Sequence, residues 1–157
     1  MADASILKHE LADLVAKNFK DGILGNQYKL IQNLRSDDAW FIVVALKMFC
    51  NDTEQRFREI DEKHMKPYMD ITAIPIYVEL IKGSSLCVGS DKLTEACRGF
   101  MRNSYTNNIL GCQKAMTVLI REFNRVKDVF QKIIELERGI NILSGAGPEP
   151  APPAYNI

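Results

Sequence analysis

Apolar positions along this chain recur at steps of three and four, and no segment alternates at a step of two. The period is helical, and the expected fold class is all-α. The last stretch is the clearest. Cys112, Met116, Leu119, Phe123, Val126, Phe130, Ile133 and Ile140 alternate steps of four and three, with only Glu137 out of pattern. An a/d stripe sustained over about four heptads marks a bundle helix.

Breakers set the remaining boundaries. Leu7, Leu11, Leu14 and Val15 define a first helix that stops at Asp21-Gly22, and Leu30, Ile31 and Leu34 a short second one over 27–34. Ser36-Asp37-Asp38 is an N-cap cluster ahead of a long third helix reaching about Glu62. Its first half, Trp40 to Phe49, is apolar on nearly every face and predicts a central position. Its second half, Asp52 to Lys63, turns charged and is expected to project toward solvent. Pro67 ends that region. Pro75 fits only a first turn, so a fourth helix follows over Ile76 to Cys87 and stops at Gly89. Ser90-Asp91 caps a fifth helix to about Asn103, with Leu93, Ala96, Cys97 and Phe100 inward. About six helices are expected, the last four forming an antiparallel four-helix bundle with additional N-terminal helices, in one domain over 1–143. The proline-rich remainder, 144–157, is expected to be a flexible tail.

Composition narrows the function classes. Lys+Arg and Asp+Glu balance at 20 each over 157 residues, so no net field favours nucleic acid or an anionic membrane. No stretch approaches the roughly 20 apolar residues of a membrane span, and the acids in MADASILKHE argue against a signal peptide. Cys50, Cys87, Cys97 and Cys112 lack CxxC spacing and only two histidines are present, which argues against zinc. The expectation is a cytosolic or nuclear protein with reduced, mostly buried cysteines and no metal or cofactor.

Candidate chemistry concentrates in Glu79-Leu80-Ile81-Lys82-Gly83-Ser84-Ser85-Leu86-Cys87-Val88-Gly89. Gly83 falls mid-helix, where glycine costs about 1 kcal/mol relative to alanine. Two explanations stand: close packing against a neighbouring helix, or a bare surface that another protein approaches beside position 79. Lys82 shares a helix face with Glu79, either as an intrahelical partner or as a cation for that surface.

This segment resembles the motif of the plant histidine-containing phosphotransfer proteins, His-Gln-x-Lys-Gly-Ser-Ser-x-x-x-Gly, with Lys82, Gly83, Ser84, Ser85 and Gly89 in register. Gly22-Ile23-Leu24, Gln27-Tyr28, Phe49-Cys50-Asn51-Asp52, Cys97-Arg98-Gly99-Phe100 and Gly111-Cys112 extend the resemblance over most of the chain. The departures carry as much meaning. Glu79 stands where the family has its phosphorylated histidine, Leu80 where it has glutamine, Gly25-Asn26 where it has an acidic pair, and Pro75 where it has an acid.

The resemblance therefore implies the pseudo-phosphotransfer branch. Such a protein would be non-catalytic, would bind receiver domains of sensor histidine kinases and response regulators in cytokinin signalling, and would compete with true phosphotransfer proteins. The implied receiver-binding residues are Glu79, Leu80, Lys82, Gly83 and Ser84, with Ile23, Leu24 and Tyr28 beside them. For the last three a buried role serves equally well. Neither nucleic acid nor membrane is an implied partner, and nothing demands a dimer. Two alternatives remain at this point: a phosphocarrier using another residue, for which His9 and His64 lack the motif context, and a helical scaffold with no relay role.

Overall fold

The computed structural model describes residues 3–151, which fold as six α-helices without a strand among them. In chain order they are α1 (Ala4–Lys20), α2 (Asn26–Asn33), α3 (Phe41–His64), α4 (Ile74–Val88), α5 (Asp91–Tyr105) and α6 (Ile109–Leu143). A 3₁₀ turn, Leu34–Ser36, extends α2.

Local chemistry explains most ends. Asp3 Oδ1 accepts from Ser5 N at 3.0 Å to start α1, and Lys17 and Lys20 sit in its last turn against the helix dipole. Asp38 Oδ1 accepts from Trp40 N at 2.9 Å just ahead of α3. Asp70 Oδ1 accepts from Thr72 N, Thr72 Oγ1 and Ala73 N, an Asx turn that leads into α4. These three bonds hold the Asp70 carboxyl below its ordinary range. α4 begins two residues before the expected Ile76, with Pro75 in its first turn. It ends at Gly89, whose φ of 73° is left-handed.

Helices α3, α4, α5 and α6 pack cyclically, each against the next, with α6 returning to α3, and α1 lies on α6. The expected four-helix bundle with N-terminal additions is the architecture seen. The a/d stripe of α6 is buried from Cys112 to Ile140, and its aromatics anchor the core. Phe130 meets Phe49 edge-on at 5.6 Å and stacks with Tyr28 at 6.3 Å.

Two expectations need correction. The second half of α3 does not project: Thr53 and Ile60 are buried, and Phe57 packs on Phe123 at 5.3 Å. Its charged residues occupy the outer face, and the apolar ones, spaced by a turn, keep the helix docked. Glu137 is not a gap in the α6 stripe but part of the core, ion-paired with Arg35. Beyond α6, one acidic side chain of the segment reaches back to the bundle. Glu149 meets Arg138 at 2.6 Å and Lys47 at 3.4 Å. Residues 152–157 of the expected tail lie outside the described residues.

Candidate functional site

The site is built on α4. Ile74, Val78, Ile81, Ser85 and Val88 recur at steps of four and three and define its buried face. Sequence spacing then turns Ile76, Glu79, Leu80, Gly83, Leu86 and Cys87 outward, and all six are exposed. Ile76 remains 66 % exposed and Leu80 51 %, a large apolar display beside a charged pair. Glu79 meets Lys82 Nζ at 2.9 Å through one carboxylate oxygen and at 3.1 Å through the other.

Gly83 lies in the middle of this display. A Cβ built at Gly83 would meet nothing within 4 Å. Close helix packing therefore does not explain the glycine, which lies bare on an open surface. The contrast with Gly89 and Gly25 is informative. A Cβ at Gly89 would overlap the Tyr28 backbone nitrogen, so that glycine is required by packing, whereas one at Gly25 would meet only the movable carboxylate of exposed Asp91.

The two serines of the motif divide. Ser84 is half-buried at the flank, whereas Ser85 points inward. Ser85 Oγ donates to Lys82 O at 2.8 Å and lies 2.7 Å from Thr94 Oγ1 on α5. Thr94 Oγ1 bonds Ser90 O at 3.1 Å, so a buried hydroxyl chain couples α4 to α5 directly beneath the outward face. Cys97 lies in the same layer, where burial pushes its thiol up to about 12 and makes it a poor nucleophile. Burial does the same to Cys50.

Ile23, Leu24 and Tyr28 are not surface residues. All three are buried, and Tyr28 is enclosed by Phe19, Phe130 and the α4 terminus. Gly25 N donates to Gly89 O at 2.8 Å, which seats the start of α2 on the end of α4 and turns those side chains into the core. The apolar residues exposed here are Leu30 (59 %) on α2 and Leu34 (47 %) one turn on in its 3₁₀ extension, and α2 packs against α4. Sequence reasoning missed them as surface, although Tyr28 and Ile31, three residues apart, mark the covered face of α2. Ile76 was also missed, although it precedes Leu80 and Gly83 by four and seven positions.

No group of three His, Cys, Asp or Glu among the described residues is arranged to hold a metal. His9 is exposed on α1 beside Asp13 at 3.4 Å, and His64 at the end of α3 packs at a tilt against Tyr77, ring centroids 5.3 Å apart. Neither stands on the outward face of α4.

Comparison with known proteins gives this geometry its family. No family model matches the chain. Histidine-containing phosphotransfer protein 1 of Oryza sativa subsp. japonica is 30% identical over 138 residues, 87% of this chain and 94% of that protein. The chain belongs to the histidine-containing phosphotransfer family. Its membership extends to structure. The crystal structure of a histidine-containing phosphotransfer protein from maize superposes with a TM-score of 0.78 at 29% identity, covering 85% of this chain and 99% of that one. Pseudo histidine-containing phosphotransfer protein 6 of Arabidopsis thaliana is also similar, 22% identical over 134 residues, 84% of this chain and 87% of that protein. Similarity thus runs to phosphotransfer proteins proper and to pseudo members.

Proposed function

We propose that this chain is a pseudo-phosphotransfer protein: it binds receiver domains of sensor histidine kinases and response regulators through the outward face of α4 and passes no phosphate on. The observation that carries the reading is Gly83, a helix-weakening residue whose outer side faces open space between exposed Leu80 and Leu86. Such a residue is retained where a partner's surface must come close to the helix backbone.

The relay chemistry argues for binding without transfer. A histidine at position 79 would attack an aspartyl phosphate through a ring nitrogen and hold the group as a transferable phosphoramidate. Glu79 offers a carboxylate instead. It is a weaker nucleophile toward an anionic phosphoryl group, and attack would yield a hydrolysis-prone mixed anhydride. Its single charge is already engaged by Lys82, so it is a poor copy of the nearly doubly charged phosphohistidine. The consequence is competition with transfer-competent relatives for shared receivers, in a cytokinin-type relay in cytoplasm and nucleus.

The test is a titration of the chain against a panel of receiver domains, with phosphoryl transfer followed in parallel. Receivers are expected to bind while the chain acquires no acid-labile phosphoryl group, and Glu79→His is expected to gain one. Labelling of the unsubstituted chain that is lost on replacing His9 or His64 would instead identify a phosphocarrier. Failure to bind any receiver would leave a helical scaffold.

A further inference from the structure

The one polar break in the α6 stripe is unexplained by bundle packing alone. Glu137 occupies an a/d position and is fully buried, and Arg35 reaches it from the 3₁₀ turn that follows α2. A buried charge pair is an expensive way to fill a core position: an apolar side chain of similar volume there is often neutral or stabilising. What the pair offers that leucine cannot is direction. Apolar contacts tolerate sliding and rotation, whereas a guanidinium and a carboxylate must meet in a narrow geometry.

The element that Arg35 terminates needs such a constraint. α2 has eight residues, Gly25 at its N-cap with no side-chain capping bond, no acid in its first turn and no base in its last. Its anchoring side chains are Tyr28 and Ile31, both in the core. Tyr28 is itself electrostatically linked to the pair, since burial first and then the Glu137 charge raise its hydroxyl's pKa. Leu30 on α2 and Leu34 at the start of its 3₁₀ extension stay exposed, on an element that packs against α4.

We propose that the Arg35–Glu137 ion pair is a positioning lock, fixing the rotation of α2 and its 3₁₀ extension on α6 so that Leu30 and Leu34 stand beside the Gly83 face as one docking surface. This rests on the receiver-docking reading above. It assigns Glu137 a role in binding although it touches no partner.

Hydrogen exchange of the free chain, run beside receiver titrations, tests it. In the double variant Arg35→Met/Glu137→Leu the urea midpoint is expected to hold or rise, whereas Glu137→Leu alone, which strands the Arg35 guanidinium, is expected to lower it. Amide exchange in 26–36 should nonetheless accelerate by about tenfold while α6 keeps its protection. Affinity for a response-regulator receiver that binds the unsubstituted chain should fall by about fivefold or more. Arg35→Lys, which keeps a cation on the turn, should retain most of the protection and affinity. Unchanged exchange in 26–36 overturns the lock, and so does faster exchange with unchanged affinity. If Glu137→Leu alone does not fold, the double variant decides by the same criteria. If the unsubstituted chain binds no receiver, the docking reading has failed, and the lock stands or falls on the exchange data alone.

Discussion

Single residues on α4 separate binding from folding, because the same amino acid does opposite work at two positions. Gly83 faces open space and Gly89 a wall of α2 backbone. Gly83→Gln is expected to leave stability unchanged or raise it by about 0.5 kcal/mol through helix propensity. The long side chain would occupy the space a partner needs, so receiver affinity should drop about tenfold, or ~1.4 kcal/mol. Thermal melts beside titrations check both halves, and a stable variant that binds normally would move receivers off this face. Gly89→Ala should behave in the reverse sense. A left-handed φ of 73° disfavours any Cβ, and the methyl would press on Tyr28 N. A loss of about 2 kcal/mol or more is expected, read by urea denaturation.

Elements show how far periodicity can be trusted. The steps of four and three placed the inward stripe of α6, and the same spacing runs through Thr53, Phe57 and Ile60, where the structure docks the second half of α3. The dense charge between Asp52 and Lys63 suggested a projecting arm, but charge on an outer face is compatible with full docking of the inner one. The pair Ser84-Ser85 makes the same point at finer grain. Both are polar and adjacent, yet Ser85 is buried in the hydroxyl chain that joins α4 to α5. Ser85→Ala should therefore cost about 1–2 kcal/mol by removing the buried hydroxyl contact between α4 and α5, and Ser84→Ala less than about 0.5 kcal/mol. Equal effects of the two substitutions in chemical denaturation would contradict the assigned inward turn of Ser85.

For the molecule as a whole, buried Glu137 titrates in the opposite sense to Asp3, Glu59 and Asp70. Burial raises the Glu137 pKa above its ordinary 4.5, and the facing Arg35 only partly offsets this. From pH 4.5 up to the raised folded value, the folded chain binds more protons than the unfolded one at this site. Its contribution to stability is thus full below 4.5 and is lost as pH rises through the folded pKa. Glu137→Gln removes that loss. The stability difference between the variant and the unsubstituted chain should shift in the variant's favour on going from pH 4 to 7, measured by urea midpoints with Arg35 and Tyr28 intact. A difference that does not vary with pH would mean Glu137 stays ionised throughout. What the sequence alone determined is local: helix number, the stops at Gly22 and Gly89, the α6 stripe, and the Glu79–Lys82–Gly83 spacing, because a 3.6-residue period and a cap are written in neighbouring residues. Only the tertiary structure decided which faces are covered. It buried Ile23, Leu24 and Tyr28, left Leu30 and Leu34 in the open, emptied the space over Gly83 and enclosed Glu137 with Arg35. The reason is physical: periodicity says which side chains share a face, but whether another element lies against that face depends on contacts between residues far apart in the chain.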